Sequence, residues 1–110
     1  MIKKRDRLTA KDIQALSLGK SVFGTLVSFR YVGAEKTKIA AAVAKKGAPR
    51  AVDRNRIRRR VYAAAVKPLS RVSVPFHGMI MAKKEAATAP FDRLVSDIET
   101  VFSRAGLFGR

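Results

Sequence analysis

Between Lys45 and Arg60 the chain carries eight basic side chains (Lys45, Lys46, Arg50, Arg54, Arg56, Arg58, Arg59 and Arg60) and one acidic one, Asp53. A segment charged this densely has few ways to fold. At about 100° per residue on a helix, Ile57, Val61 and Ala64 fall within roughly 60° of one another. That narrow stripe can dock on an apolar surface. Asn55, Arg56, Arg58, Arg59 and Arg60 fan out over the remaining arc, with Arg54 at the edge of the stripe. Arg56 and Arg60, like Arg54 and Arg58, are like-charged neighbours at i,i+4, an arrangement that destabilises an isolated helix by a few tenths of a kcal/mol per pair. A polyanion laid along the arc would remove that penalty.

The rest of the composition agrees. The 110 residues contain 24 Lys and Arg against 8 Asp and Glu, a formal charge of +16, and self-repulsion at that level opposes compaction unless an anionic partner is met. Basic residues occur in every third of the chain, which describes a broad footprint on nucleic acid rather than a short localisation tag. Arginine dominates after Asp53, and its planar fork matches two phosphate oxygens and stacks on bases. Asn55 adds a neutral donor and acceptor suited to a base edge or a 2′-hydroxyl. The bland alternative, a merely solvated helix face, sits poorly with charge this dense.

Length and apolar content (47%) describe one compact domain over residues 1–110 with an ordinary core. There is no cysteine, so disulfides and thiolate-held zinc are excluded. The basic start at Met1–Arg7 is not followed by an apolar stretch of the kind a secretory signal needs, and Ile39–Ala44 is far too short to span a bilayer. A cytoplasmic protein without a membrane partner is the expectation. The lone His77 and the carboxylates Asp92, Asp97 and Glu99 show no metal or triad spacing. The three carboxylates are expected to face solvent, and no catalytic residue is expected in the protein.

The coarse order of elements is α-β-β-α-β-α, an α+β fold with a small sheet of three to four strands packed with three helices. Residues 1–8 read as a mobile basic arm. Thr9 with Asp12 caps a first helix ending near Gly19. Val22–Val32 alternates as a strand, with Val27, Phe29 and Tyr31 on one face and Leu26, Ser28 and Arg30 on the other. Lys38–Ala44 is a second strand, apolar enough for burial on both faces, and the short turn between the two predicts an antiparallel hairpin. The basic helix is expected from Ala51 to about Val66, stopping before Pro68. Phe76–Ala82 is a third strand. A last helix carries Phe91, Leu94, Val95, Ile98, Val101, Phe102 and Ala105 at helical spacing, with Phe91, Ile98 and Phe102 as core, and Gly106 as its stop.

At the basic helix the sequence resembles a known family. Ala44-Lys45-Lys46-Gly47 followed by Ala51-Val52-Asp53-Arg54-Asn55-Arg56-Ile57-Arg58-Arg59 is similar to the signature of the bacterial ribonuclease P protein. The likeness extends to the basic start ending in Arg7-Leu8, to Gly19-Lys20-Ser21-Val22 and to Ala105-Gly106-Leu107. It implies a left-handed β-α-β crossover, against the usual hand. It also implies binding to a large catalytic RNA that, with Mg²⁺ as cofactor, hydrolyses precursor tRNA to release the mature 5′ end. The protein would then be the non-catalytic subunit of an endoribonuclease, with no small-molecule substrate. RNA contacts would fall on Lys45, Lys46, Arg50, Arg54, Asn55, Arg56, Arg58, Arg59 and Arg60. A cleft for the single-stranded 5′ leader would draw on Ile13, Ser17, Phe29 and Tyr31. The sequence departs from the family pattern in two places: its first helix has no aromatic residue, and Val61-Tyr62 stands where an acidic residue is usual. The competing reading is a ribosomal or other structural RNA-binding protein, which composition alone does not separate. A DNA-binding helix module lacks the preceding strand pair, and a protein-only nuclease would need an acidic or histidine cluster.

Overall fold

The structure, a computed structural model, describes residues 7–8, 19–43 and 48–108. The expected helix over residues 9–18 lies outside them, as do Ile13, Ser17, Lys45 and Lys46. Four strands, β1 (Lys20–Phe23), β2 (Val27–Gly33), β3 (Lys38–Val43) and β4 (Phe76–Ala82), form one sheet in the order β1-β2-β4-β3. Among the described residues two helices, α1 (Ala51–Ser70) and α2 (Phe91–Arg104), accompany it, with a 3₁₀ turn at Lys84–Ala87.

Two expectations about the strands need correction. The alternating stretch Val22–Val32 is two strands, broken at Gly24–Leu26 into the antiparallel hairpin β1–β2. And β2 does not pair with β3. Both pair with β4, which lies between them, antiparallel to β2 and parallel to β3. A short link permits this because two strand spacings are only about 9.5 Å, and the extended residues 34–37 reach about 13 Å. Ala34 N–H donates to Pro75 O at 3.4 Å as the link passes the start of β4. Outside β3, Arg7 bridges Ile39 in parallel and Leu8 N–H donates to Ile39 O at 2.8 Å.

Paired residues share a face, so register assigns the sheet's two sides. Val27, Phe29, Ile39, Ala41, Phe76, Ile80 and Ala82 lie on one side and are buried in a single cluster with Ile57, Val61, Ala64, Leu94, Ile98 and Phe102 of the helices. Its centre is aromatic: Phe29 stands 5.5 Å from Phe76 and 5.1 Å from Phe102 between ring centroids, within the range where tilted and edge-to-face pairs attract. Gly78 makes room for it, since a Cβ there would lie 2.5 Å from the Phe29 ring. Ile39, Ala40 and Ala41 are buried in succession, so β3 is covered on both faces as its apolar run predicts.

α1 runs past Val66 and through Pro68 to Ser70. Proline there removes one helical hydrogen bond, but the bond falls in the last turn and the ring is fully buried in the core. Phe91, expected in the core, is 46% exposed. As the first residue of α2 it lies beyond the apolar stripe, which begins a turn later at Leu94. Gly106, at φ 74°, is the left-handed stop after α2.

Asp97 is not a solvent-facing carboxylate. It accepts from the backbone N–H groups of Thr25 (3.0 Å), Leu26 (2.9 Å) and Val27 (3.0 Å), tying α2 to the β1–β2 turn. Arg104 Nη1 donates to Phe23 O at 2.7 Å alongside it. Glu99 is likewise engaged, accepting from Arg71 Nη1 at 2.8 Å.

Candidate RNA-binding face

The sheet positions the basic helix. Ile57, Val61, Ala64 and Ala65 dock α1 on β3 and β4, so the opposite arc must face outwards. Asn55, Arg56 and Arg59 are exposed there, and Arg58 is half-buried beside them. Arg58 Nη2 donates to Asn55 Oδ1. Arg56 and Arg59 carry no hydrogen bond or ion pair to any described residue.

The other arginines are drawn into the protein's own backbone. Arg54 Nη1 donates to Ala48 O (3.0 Å) and Pro49 O (2.8 Å), closing the loop that enters the helix. Arg60 donates to Ala86 O at 2.6 Å and to Ala89 O, and holds the 3₁₀ turn against α1. Its guanidinium also lies 5.9 Å from the Phe91 ring centroid. Proximity in sequence does not reveal this division, because the carbonyls Arg60 meets are contributed by a later element.

Arg50, at the helix N-cap, has an extended backbone and offers no side-chain cap. It pairs instead with Asp53 at 3.1 Å. That hydrogen bond holds the Asp53 carboxyl below the ordinary carboxylate range and raises Arg50 above its own. Both groups are solvent-exposed, so the pair organises the first turn more than it stabilises the fold.

Phe29 and Tyr31 are placed on the helix-packed side of the sheet. Phe29 is 1% exposed, and Tyr31 stacks on it at 5.4 Å between centroids. No base can reach Phe29 in this structure. The opposite side of the sheet carries Ser21, Phe23, Ser28, Arg30, Met79 and Met81 around a shallow groove, with Phe23 67% exposed and Arg30 Nε donating to Ser21 Oγ at 3.1 Å. Strand parity alone separates Phe29 from Arg30. The sequence shows the two faces but not which of them the helices cover.

No three of His, Cys, Asp and Glu among the described residues come together to hold a metal ion, and no described helix is long and apolar enough to cross a membrane.

Fold and face together define a small, strongly basic α+β protein with an arginine-rich helix presented outwards on a four-stranded sheet. The family model for ribonuclease P matches residues 2–106: the chain belongs to the ribonuclease P protein family, RNA-binding proteins of tRNA processing. Its structure is similar to that of the RNase P protein of Staphylococcus aureus, with a TM-score of 0.78 at 20% identity over 94% of this chain and 98% of that one. It also resembles the RNase P protein of Thermotoga maritima, with a TM-score of 0.76 at 18% identity over 91% and 97%. No curated protein sequence gives a significant match.

Proposed function

We propose that the outward arc of α1 lies against the catalytic RNA of ribonuclease P, while the groove over β1, β2 and β4 on the other side of the sheet holds the single-stranded 5′ leader of precursor tRNA. The observation that carries the first half is the state of Arg56 and Arg59: two exposed guanidiniums, with no hydrogen bond or salt bridge to any described residue, on a helix fixed to the core by its other side. Asn55 and Arg58 extend that surface, and Lys45 and Lys46 belong to it on the strength of the family signature. Arg50, Arg54 and Arg60 contribute first by shaping the helix and its entry loop.

For the leader, that groove offers Phe23 as a stacking surface, the thioethers of Met79 and Met81, and Arg30 for phosphate. Stacking on an aromatic ring contributes about 1–3 kcal/mol per base. These residues, rather than Phe29 and Tyr31, form the sheet's part of the leader site, and Ile13 and Ser17 of the expected first helix complete the cleft. The described chain leaves the outer edge of β3 at Leu8 and resumes beside β1 at Gly19, on opposite edges of the sheet. The left-handed hand of the β3-α1-β4 crossover is part of the same proposal and rests on the family likeness.

The hydrolysis itself is assigned to the RNA. The described donor set does not fit a protein-held Mg²⁺, and the ion's place is on the RNA and the substrate. The protein's part is to bind and orient, in a cytoplasmic ribonucleoprotein. Reconstitution tests the whole reading: the protein is added to a catalytic ribonuclease P RNA at low Mg²⁺, and 5′ cleavage of a precursor tRNA is followed. Stimulated cleavage is expected, and its absence would overturn the proposal.

A further inference from the structure

The exposed side of α1 changes character along its length. Its first turns present arginine, but further on Ala63 is exposed and Val66 is 41% exposed. With Arg7, Asn55, Arg58, Arg59 and Tyr62 these residues line an open groove of about 700 Å³. That is within the range of about 300–1,000 Å³ typical of small-ligand sites.

The described residues of the lining have a consistent chemistry: three guanidiniums, one amide, one aromatic ring and an aliphatic floor, with no carboxylate among them. Its parts are fixed in place. Ala41 N–H donates to Tyr62 Oη at 3.1 Å, holding the ring against β3, and the Arg7 guanidinium lies 4.5 Å from the centroid of that ring. Asn55 accepts from Arg58 through Oδ1, and its amide N–H groups make no hydrogen bond within the described protein.

We infer that this groove receives one unpaired nucleotide of the bound RNA, its base against Tyr62, Ala63 and Val66 and its phosphate on Arg58 and Arg59. A track for duplex backbone has no use for an apolar floor, because stacked bases do not offer their faces. A protein ligand has little use for the paired guanidiniums of Arg58 and Arg59 with no acid beside them among the described lining residues. An unpaired nucleotide supplies both a flat apolar face and an anion, and RNA-binding proteins read unstacked bases in this way. The inference rests on α1 binding RNA but extends the contact beyond the Arg-Asn-Arg segment, to the second half of the helix and to Arg7.

The test compares an RNA hairpin carrying a one-nucleotide bulge with the same hairpin lacking it. The full chain, its Val66→Gln variant and its Arg56→Ala variant are each measured for binding to both. Val66→Gln conserves charge at an exposed position, and circular dichroism confirms that it folds. The native chain should prefer the bulged hairpin by about fivefold or more, the effect of one stacked base, and Val66→Gln should bring the ratio close to one. Arg56→Ala should weaken both hairpins alike. No preference in the native chain, or a preference that survives Val66→Gln, overturns the groove, and if Arg56→Ala still weakens binding the RNA reading of the helix stands. If Arg56→Ala weakens neither hairpin, that reading falls as well.

Discussion

The two helices pack on the same sheet face yet use their polar residues in opposite ways. α2 turns its key carboxylate inwards: Asp97 accepts three backbone N–H groups from the β1–β2 turn, and Leu94, Ile98, Val101 and Phe102 bury a broad apolar side. α1 has a leaner stripe made partly of alanine, and its one carboxylate, Asp53, pairs with Arg50 in solvent. α2 is built to hold the fold and α1 to be held while presenting charge. Within α1 the same division recurs between single arginines, decided by whether a backbone carbonyl is in reach.

The contrast is sharpest at Phe102. Phe102→Ala should lower unfolding free energy by about 3–5 kcal/mol, read from denaturant titration, because it empties the centre of a three-ring cluster. No outward residue of α1 should approach that cost. Asp97→Ala comes next, at roughly 1–3 kcal/mol for three backbone donors, two of them partly buried, left without their acceptor, with RNA affinity of the folded protein unchanged. A loss of RNA affinity at equal stability would show that α2 is not merely structural.

Arg56→Ala and Arg60→Ala then test the division inside α1. Arg56→Ala should leave the melting temperature unchanged and reduce the salt dependence of RNA binding by about one phosphate contact. Arg60→Ala should do the reverse, losing roughly 1.5–3 kcal/mol of stability through its contacts to Ala86 and Ala89 with little change in salt slope. Equal slopes for the two variants would break the distinction. The smallest effect concerns Asp53. Its depressed pKa means that the pair's contribution is present above the ordinary carboxylate range and is lost as pH falls through the lowered value. NMR titration should show the Asp53 midpoint move upwards in Arg50→Ala, with almost no change in overall stability.

What the sequence made legible was local. The last strand is observed over Phe76–Ala82 and the last helix over Phe91–Arg104, because their periodicities are carried by consecutive residues. The docking stripe Ile57-Val61-Ala64 is buried as its spacing predicts. What it concealed depended on distant partners. The break at Gly24–Leu26 is held by Asp97 from α2, the place of β4 between β2 and β3 is set by cross-strand register, and the inward turn of Arg60 depends on carbonyls in the later 3₁₀ turn. The side on which Phe29 lies was undecidable for the same reason: alternation defines two faces, and only the docked helices choose between them.

The strand that joins β2 to β3 in the sheet is the last of the four to leave the ribosome. Until Phe76–Ala82 is available, β2 and β3 each lack the neighbour they will eventually share, and the arginine helix between β3 and β4 has no completed sheet to dock on. Pairings so remote in sequence raise the entropic cost of the folding transition state and slow it. During synthesis, then, a strongly cationic segment emerges before its scaffold exists, and an RNA that neutralises it would favour folding as well as being bound by its product.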